Sequence, residues 1–545
     1  MKKIYLSAAA LLACTLMNAQ APFWTATSYK GAFPVTDNTP ATDWTSGWSN
    51  FDPENTVYGA ATQTVSADIT ANTTWSGIVC LQNKVYVKNN AVLTIQPGTI
   101  IRGDKATQGS LIITRGAQIN AAGTMASPIV FTSNESVGNR AEGDWGGLVV
   151  LGKAINNQPG GVANIEGITP SLDTEFGGTL DNDNSGILKY IRIEFAGIAL
   201  QPNKEINGLT LGSVGSATQM DHIQVSFSGD DSFEWFGGTV DAKWLIAYRG
   251  LDDDFDCDFG FRGRVQFGLI IRDKDLSDAI GDSNSFECDN DGTGSSATPF
   301  TKPVFSNITM VGPKGNGTIA LPVGEKFEKS FRLRRNSAVS VFNSLSTGWE
   351  KGLSIESSNT EAQYTSGNAY FSNNILTNYA TATKVVTAAN SFYATFFGAN
   401  GNDTTTTIAQ INWVNIFTAL GTTPDARLAA SSTAATGAAF TNTVFGSSFT
   451  GIKNSANFSD KFVSIYPNPT ADVTTLVIDA VNASSLNVNI YDINGKLVAS
   501  PVVNQNLSIG ENIFTFNTSN LNNGVYFVTL NSNNGKETVK LVVSK

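Results

Sequence analysis

The residues best suited to chemistry in this chain are carboxylates, and they crowd into one stretch. From Asp252 to Asp291 there are 12 acidic residues against four basic ones, Arg262, Arg264, Arg272 and Lys274. Asp230 and Asp231 recur as Asp252 and Asp253 at a stride of 22, and Asp273 follows Asp252 at a stride of 21. Asp254, Asp256 and Asp258 add acids at alternate positions. Recurrence at this period is the mark of stacked repeats. If one step is one coil, acids distant in sequence meet at one corner in space. Like charges a few ångströms apart repel by roughly 1 kcal/mol per pair even in water. A divalent cation relieves that repulsion, and hard carboxylate oxygens suit Ca2+. The other chemistry of paired carboxylates is general acid–base cleavage of glycosidic bonds.

Two further loops approach the calcium pattern D-x-D-x-[DNS]-G. They are Asp181-Asn182-Asp183-Asn184-Ser185-Gly186 and Glu287-Cys288-Asp289-Asn290-Asp291-Gly292. Alternate side-chain oxygens converge in such loops and the glycine permits the sharp turn. An EF-hand is excluded, because its closing twelfth position holds Arg192 in one case and Thr298 in the other. A solvated Asp/Asn turn is the alternative for each. The chain has a single histidine, His222, and no CxxC, which excludes a Cys/His zinc site and any mechanism needing two histidines. Cys257 and Cys288 can pair across the acidic region in an oxidising compartment, a bridge that stabilises by roughly 3–4 kcal/mol. Three unpaired thiols, with Cys80, is the other reading.

The elements that must position these acids read as all-β. Charged residues are only 15% of the 545-residue chain while glycine numbers 51, a balance that suits short strands and tight turns. A net charge of −11 argues against nucleic acid, which needs clustered cations. Runs such as VLTIQPG from Val92, LIITRGA from Leu111, IVFTSN from Ile129 and LVVLGKA from Leu148 follow at strides of 19, 18 and 19. Runs starting at Tyr190, His222, Trp244 and Phe267 continue them, and more follow between Asn307 and Ser358. Strides this short leave no room for crossover helices, so a right-handed parallel β-helix is expected over 64–358. The step of 32 between Tyr190 and His222 implies an inserted loop.

Around this solenoid the chain divides further. Lys2 and Lys3, an apolar run from Ile4 to Leu12 and small residues up to Ala19 read as a signal peptide over 1–19, cleaved before Gln20. Leu12-Ala13-Cys14 offers lipidation as the alternative. No later segment reaches the ~20 apolar residues of a membrane helix. The aromatic-rich stretch 20–63 is expected to cap the open end of the solenoid, with a glycan-stacking platform as the alternative. Residues 359–459 read as a covering or closing segment and linker. The segment 460–545 reads as a small β-sandwich, since strict apolar–polar alternation is broken by turn signals at short, regular intervals.

That last segment closely resembles the type A C-terminal sorting domain of the Bacteroidetes type IX secretion system. The matching residues are Pro467, Asn468 and Pro469; Tyr491, Asn494, Gly495 and Lys496; Asn523, Gly524 and Tyr526; and the basic end at Lys540 and Lys545. The resemblance implies passage through the outer membrane by the type IX machinery, with the cargo released or attached to surface lipopolysaccharide. GDWGGLVVLGKA, GILKYIRIEFAG and LDDDFDCDFGFRG are similar to phrases in Bacteroidetes surface proteins with β-helices, a likeness that supports fold and address.

Two functions compete for the acidic corner. Gly229-Asp230-Asp231 resembles the GDD stretch of polygalacturonases, but no G-H-G or R-I-K follows it. A calcium-dependent polysaccharide lyase needs acids on Ca2+ and an Arg or Lys base, for which Arg249, Arg262, Arg264, Arg272 and Lys274 are the candidates. The leading expectation is a non-catalytic binding or adhesive protein of the cell surface, with divalent metal in its acidic coils and extracellular glycans as partners.

Overall fold

The computed structural model describes residues 23–201, 204–278, 283–317, 319–377, 385–387, 399–445, 462–466, 470–480, 484–493, 495–508, 510–532 and 535–545. The cleavage site at Ala19 and Gln20, the Pro467, Asn468 and Pro469 turn, and Asn494 lie outside them. The chain forms two compact units, 1–440 and 441–545.

The first unit is a parallel β-helix. Consecutive coils add one strand to each of two long parallel sheets. The regular part shows how the sequence does this. Gln219–Ser226, Ala242–Tyr248 and Arg264–Ile271 stack in the first sheet, with Ile223 on Leu245 and Leu245 on Gly268. Phe233–Phe236, Phe255–Asp258 and Phe286–Cys288 stack in the second, with Phe233 on Phe255 and Phe255 on Phe286. In the second-sheet strands every other side chain points inward: Phe233, Trp235, Phe255, Cys257, Phe286 and Cys288 are all fully buried. Their rings pack at centroid distances of 5.5 and 5.3 Å, Phe233 to Phe255 to Phe286. Burying each phenyl ring contributes about 1.5–3 kcal/mol. The residues between them are left facing outward.

The strides of 18 and 19 have a different meaning from the one expected. Val92–Ile95 and Ile129–Ser133 lie in the first sheet, whereas Ser110–Ile113 and Gly147–Leu151 lie in the second. Those strides are therefore steps between sheets, whereas the steps from Tyr190 to His222, His222 to Trp244 and Trp244 to Phe267 are whole coils. The loop inserted between Tyr190 and His222 is present: it carries a short antiparallel hairpin, Ala199–Gln201 with Lys204–Glu205. Parallel pairing also runs past Ser358, where Lys351–Ile355 pairs with Val385–Thr387 and Ser340–Phe342 with Phe371–Ser372. An eight-residue helix, Ser358–Thr365, intervenes.

The aromatic N-terminal segment lies along the side of the solenoid, where an end cap was expected. Thr25 N donates to Gln266 Oε1 (2.8 Å), Gly31 N to Asn343 O (2.7 Å) and Asn50 N to Gln224 Oε1 (2.8 Å), which ties it across successive coils. The cause is the outer face of the first sheet, which presents Phe195, Phe227, Ile246, Tyr248 and Leu269 away from the solenoid interior. Phe33, Trp48 and Phe51 cover them, together with Trp413 and Leu428 from the hairpin of Trp413–Asn415 and Asp425–Leu428.

The second unit is antiparallel. Phe462–Tyr466, Val473–Ala480 and Gly510–Asn517 make one sheet; Leu497–Leu507, Ser484–Asp492, Gly524–Ser532 and Gly535–Val543 make the other. Leu476, Ile478, Val488, Ile490, Val528, Leu530 and Leu541 form its core.

Candidate metal centre

The outward-facing positions of the second sheet assemble the acids. Glu234 pairs in register with Asp256, and Asp256 with Glu287, so three carboxylates rise one per coil. At the corner just before each strand runs a second ladder. Asp253 N donates to Asp231 Oδ1 (2.9 Å), and Asn284 N donates to Asp253 Oδ1 (2.5 Å). Lys329 N in turn donates to Asn284 Oδ1 (3.2 Å). Each rung satisfies the backbone of the next coil and leaves the second carboxylate oxygen of Asp231 and Asp253 for other use. Gly229 permits the corner: a side chain there would lie 2.8 Å from both Gly143 N and Gly197 O. The Gly-Asp-Asp sequence thus has a packing reason of its own.

Three overlapping carboxylate groups result, each with ligand atoms within 4.8 Å of one another: Asp230, Asp231 and Asp252; Asp231, Glu234 and Asp256; and Asp253, Asp256 and Glu287. Asp231 and Asp256 each serve two groups. Burial, followed by the charges of neighbouring acids, pushes the carboxyls of Asp231, Glu234, Asp253 and Asp256 well above the usual range. Glu287 is also raised by burial, against the pull of Arg334 and Arg332. A donor set made only of carboxylate oxygens, half-buried and mutually repelling, fits a hard divalent cation.

The structure does not bring every expected ligand to this column. Asp254 is fully buried against Arg272, N to O 3.1 Å. Asp258 lies two residues beyond Asp256, in register with Phe236, and accepts from Phe259 N (2.6 Å). Asp273 is held by Arg249. Asp181 accepts from Arg262 (2.9 Å) and Ile155 N (3.1 Å), and Asp183 from Lys153 N (2.9 Å). Asp289 is paired with Arg334 (2.8 Å) and Arg335 (2.6 Å). Asp291 closes its own turn on Thr293 and Ser295. In the two calcium-like loops Asp181, Asp183, Asp289 and Asp291 are thus engaged by protein donors, and only Glu287, the first residue of the second loop, joins a carboxylate group of the column. Cys257 and Cys288 are free thiols, fully buried and in register on adjacent coils, which is the second of the two readings the sequence left open. They face the apolar interior rather than spanning the acids.

Glu234 was missed as a ligand, and Glu287 was read as the start of a loop and not as a rung of the column. The signal was in the strand phrases: Phe233-Glu234-Trp235, Phe255-Asp256-Cys257 and Phe286-Glu287-Cys288 align, acid under acid. Trp235 is buried in the solenoid and Phe236 packs against Phe176 and Phe259, so neither offers a face to sugar. His222 belongs to the first sheet, stacked between Tyr190 and Trp244 and bonded to Asp221 Oδ1 (2.7 Å).

A family model described as the pectate-lyase like beta helix domain matches residues 62–418. The chain belongs to that family. For this β-helix family member the match extends beyond Ser358, as does the parallel pairing. A second model, the secretion system C-terminal sorting domain, matches residues 464–544. No curated protein matches the chain. The tail directs export to the surface or medium through the type IX machinery, and among the described residues no helix is long and apolar enough to cross a membrane. Its motif residues do structural work. Gly495 (φ +79°) turns between strands, with Lys496 N bonded to Asp492 Oδ1 (3.0 Å). Tyr526, after Gly524, donates its hydroxyl to Asn522 O (2.9 Å), and Lys540 pairs with Phe527.

Proposed function

We propose that this exported β-helix is a non-catalytic binding or adhesive protein of the cell surface, stabilised by Ca2+ held on the Glu234–Asp256–Glu287 column and its flanking Asp231 and Asp253. A signal peptide cleaved between Ala19 and Gln20 starts the export, and surface lipopolysaccharide and extracellular glycans are the expected partners. The observation that carries the reading is the in-register column of carboxylates with raised pKa, which gains most from a cation.

Catalysis is disfavoured by the state of the basic residues. Arg249 is held by Asp273, Arg262 by Asp181, Arg264 by Asp241, Arg272 by Asp254 and Lys274 by Asp275. A base must lose its proton readily, and a carboxylate partner opposes that. One observation favours a calcium-dependent lyase as the second reading: Arg332 and Arg334 both sit on Glu287, beside the column. Burial alone would lower the Arg334 pKa, but Glu287 and Asp289 push it up, which makes it a poorer base. The deciding experiment incubates the calcium-loaded mature protein with acidic and neutral glycans and follows unsaturated products and new reducing ends. Our reading expects no turnover. Turnover that Arg334→Ala abolishes would establish the lyase.

A further inference from the structure

The carboxylate column ends differently at its top and its bottom. At the top, the rung in register after Glu287 is Arg332, and Ser354 follows it. Arg332 pairs with Glu287 at 3.1 Å, and Arg334 pairs with it as well. These two guanidinium groups supply, from the protein itself, positive charge to the group of Asp253, Asp256 and Glu287. At the bottom, the rung in register before Glu234 is Thr210, which is neutral. Among the described residues no Lys or Arg nitrogen lies within 4.0 Å of a carboxylate oxygen of Asp231, Glu234 or Asp256. The lower group therefore keeps its full repulsion, while the upper group has a protein cation against it.

Asn207 stands beside that lower group and is only 4% exposed. Its Nδ2 donates to Glu234 and to Thr210 Oγ1 (3.2 Å), and the next amide, Gly208 N, donates to Asp231 O (2.8 Å). Its Oδ1 is buried with no hydrogen-bond partner. A buried polar atom left unpaired is costly, and native folds rarely keep one without a use. Turned half a rotation about χ2, the same amide presents Oδ1 to whatever Glu234 holds. Asn207 and Thr210 also line a cavity of about 10 Å³, together with Glu166 from the loop between Val162–Asn164 and Glu175–Gly177. That is roughly the room one water-sized particle needs. Calcium takes amide carbonyl oxygens and waters alongside carboxylates, and the lower end of the column offers all three.

We propose that the cation of the column sits on the lower group, Asp231, Glu234 and Asp256, with Asn207 Oδ1 as a neutral ligand, and that Arg332 is the built-in counter-charge that keeps metal off the Glu287 end. The proposal rests on the reading of the column as a calcium site, and adds which rung binds and which residue outside the acids takes part. It is tested by calorimetric titration of the metal-stripped mature protein with calcium at pH 8, each variant first melted in chelator to show that it is folded. Asn207→Ala is expected to weaken calcium binding about tenfold or more, the loss typical when a metal site loses a supporting residue. Asn207→Asp keeps an oxygen and is expected to restore binding to at least its original strength. A role limited to donating to Glu234 would not be rescued by a residue that has no donor. Glu287→Gln combined with Arg332→Gln removes one charge of each sign at the upper end, and is expected to leave the affinity largely unchanged. Unchanged affinity in Asn207→Ala, weakened binding in Asn207→Asp, or binding lost in the upper-end pair would each overturn the placement and leave calcium binding itself standing. No calcium binding by the unsubstituted protein would overturn the column reading and this placement together.

Discussion

Asp254 and Arg272 are both without solvent exposure and 3.1 Å apart. Breaking such a pair strands a buried charge, which costs about 3–5 kcal/mol. Arg272→Ala is therefore expected to lower the unfolding free energy by that amount in denaturant melts, whereas joint replacement of both by apolar residues loses much less. Asp258 presents the opposite case. Burial raises its carboxyl from 3.8 to about 7, with Asp289 and Asp291 adding to the shift and the Phe259 amide opposing it. Below pH 3.8 both folded and unfolded chains hold the proton, and burial of the group costs nothing. As pH rises through about 4 to 7 the unfolded chain releases the proton first, so the folded state loses stability. Asp258→Asn keeps an oxygen for the Phe259 amide. It is expected to stabilise the metal-free protein by about 1–2 kcal/mol at pH 8, after solvent screening, and to change little at pH 4. A melt at each pH checks this.

At the scale of the coil, two features set the position of the acids: the interior phenylalanine stack and the corner glycine. Phe255→Ala removes a fully buried ring between Phe233 and Phe286, and about 3–5 kcal/mol is the expected loss. Gly229→Ala forces its Cβ to 2.8 Å from two backbone atoms that cannot retreat cheaply. It should lower the melting temperature and weaken calcium binding together; a variant that melts normally and binds normally contradicts the stacking account. The stride of 22 was legible because no insertion interrupts the coils from Gln219 to Ile271. Elsewhere insertions vary the coil length, so the strides of 18 and 19 read as coils although they are half-steps between sheets. The third rung shows the same limit. Asp273 has the right spacing, but the chain makes a detour after Ile271, and the rung is filled by Asn284 and Glu287. Side-chain partners were beyond reach in the same way: nothing in the spacing of Asp181 or Asp289 shows that Arg262, Arg334 and Arg335 have already claimed them.

The whole molecule joins a solenoid that presents one acidic column to a sandwich that provides its address. Deleting Phe462 to Lys545 is expected to hold the protein in the periplasm, as read by surface labelling of intact cells, and unchanged surface display would contradict the role of the tail. Along the solenoid, a cation bound on the column would substitute for protons on Asp231, Glu234, Asp253 and Asp256. Its benefit should thus be larger at pH 8 than at pH 5, where the raised carboxyls keep their protons. A ligand that binds only the folded state at 100 times its Kd adds about 2.7 kcal/mol. Cation binding on the column is read by melting the mature protein at pH 8 in millimolar calcium and in chelator, for the natural sequence and for Asp256→Asn, which removes a carboxylate shared by two of the three groups. A clear calcium-dependent rise in melting temperature is expected, and Asp256→Asn should largely abolish it. Superimposable curves in calcium and chelator, or a rise of the same size in the variant, would contradict it.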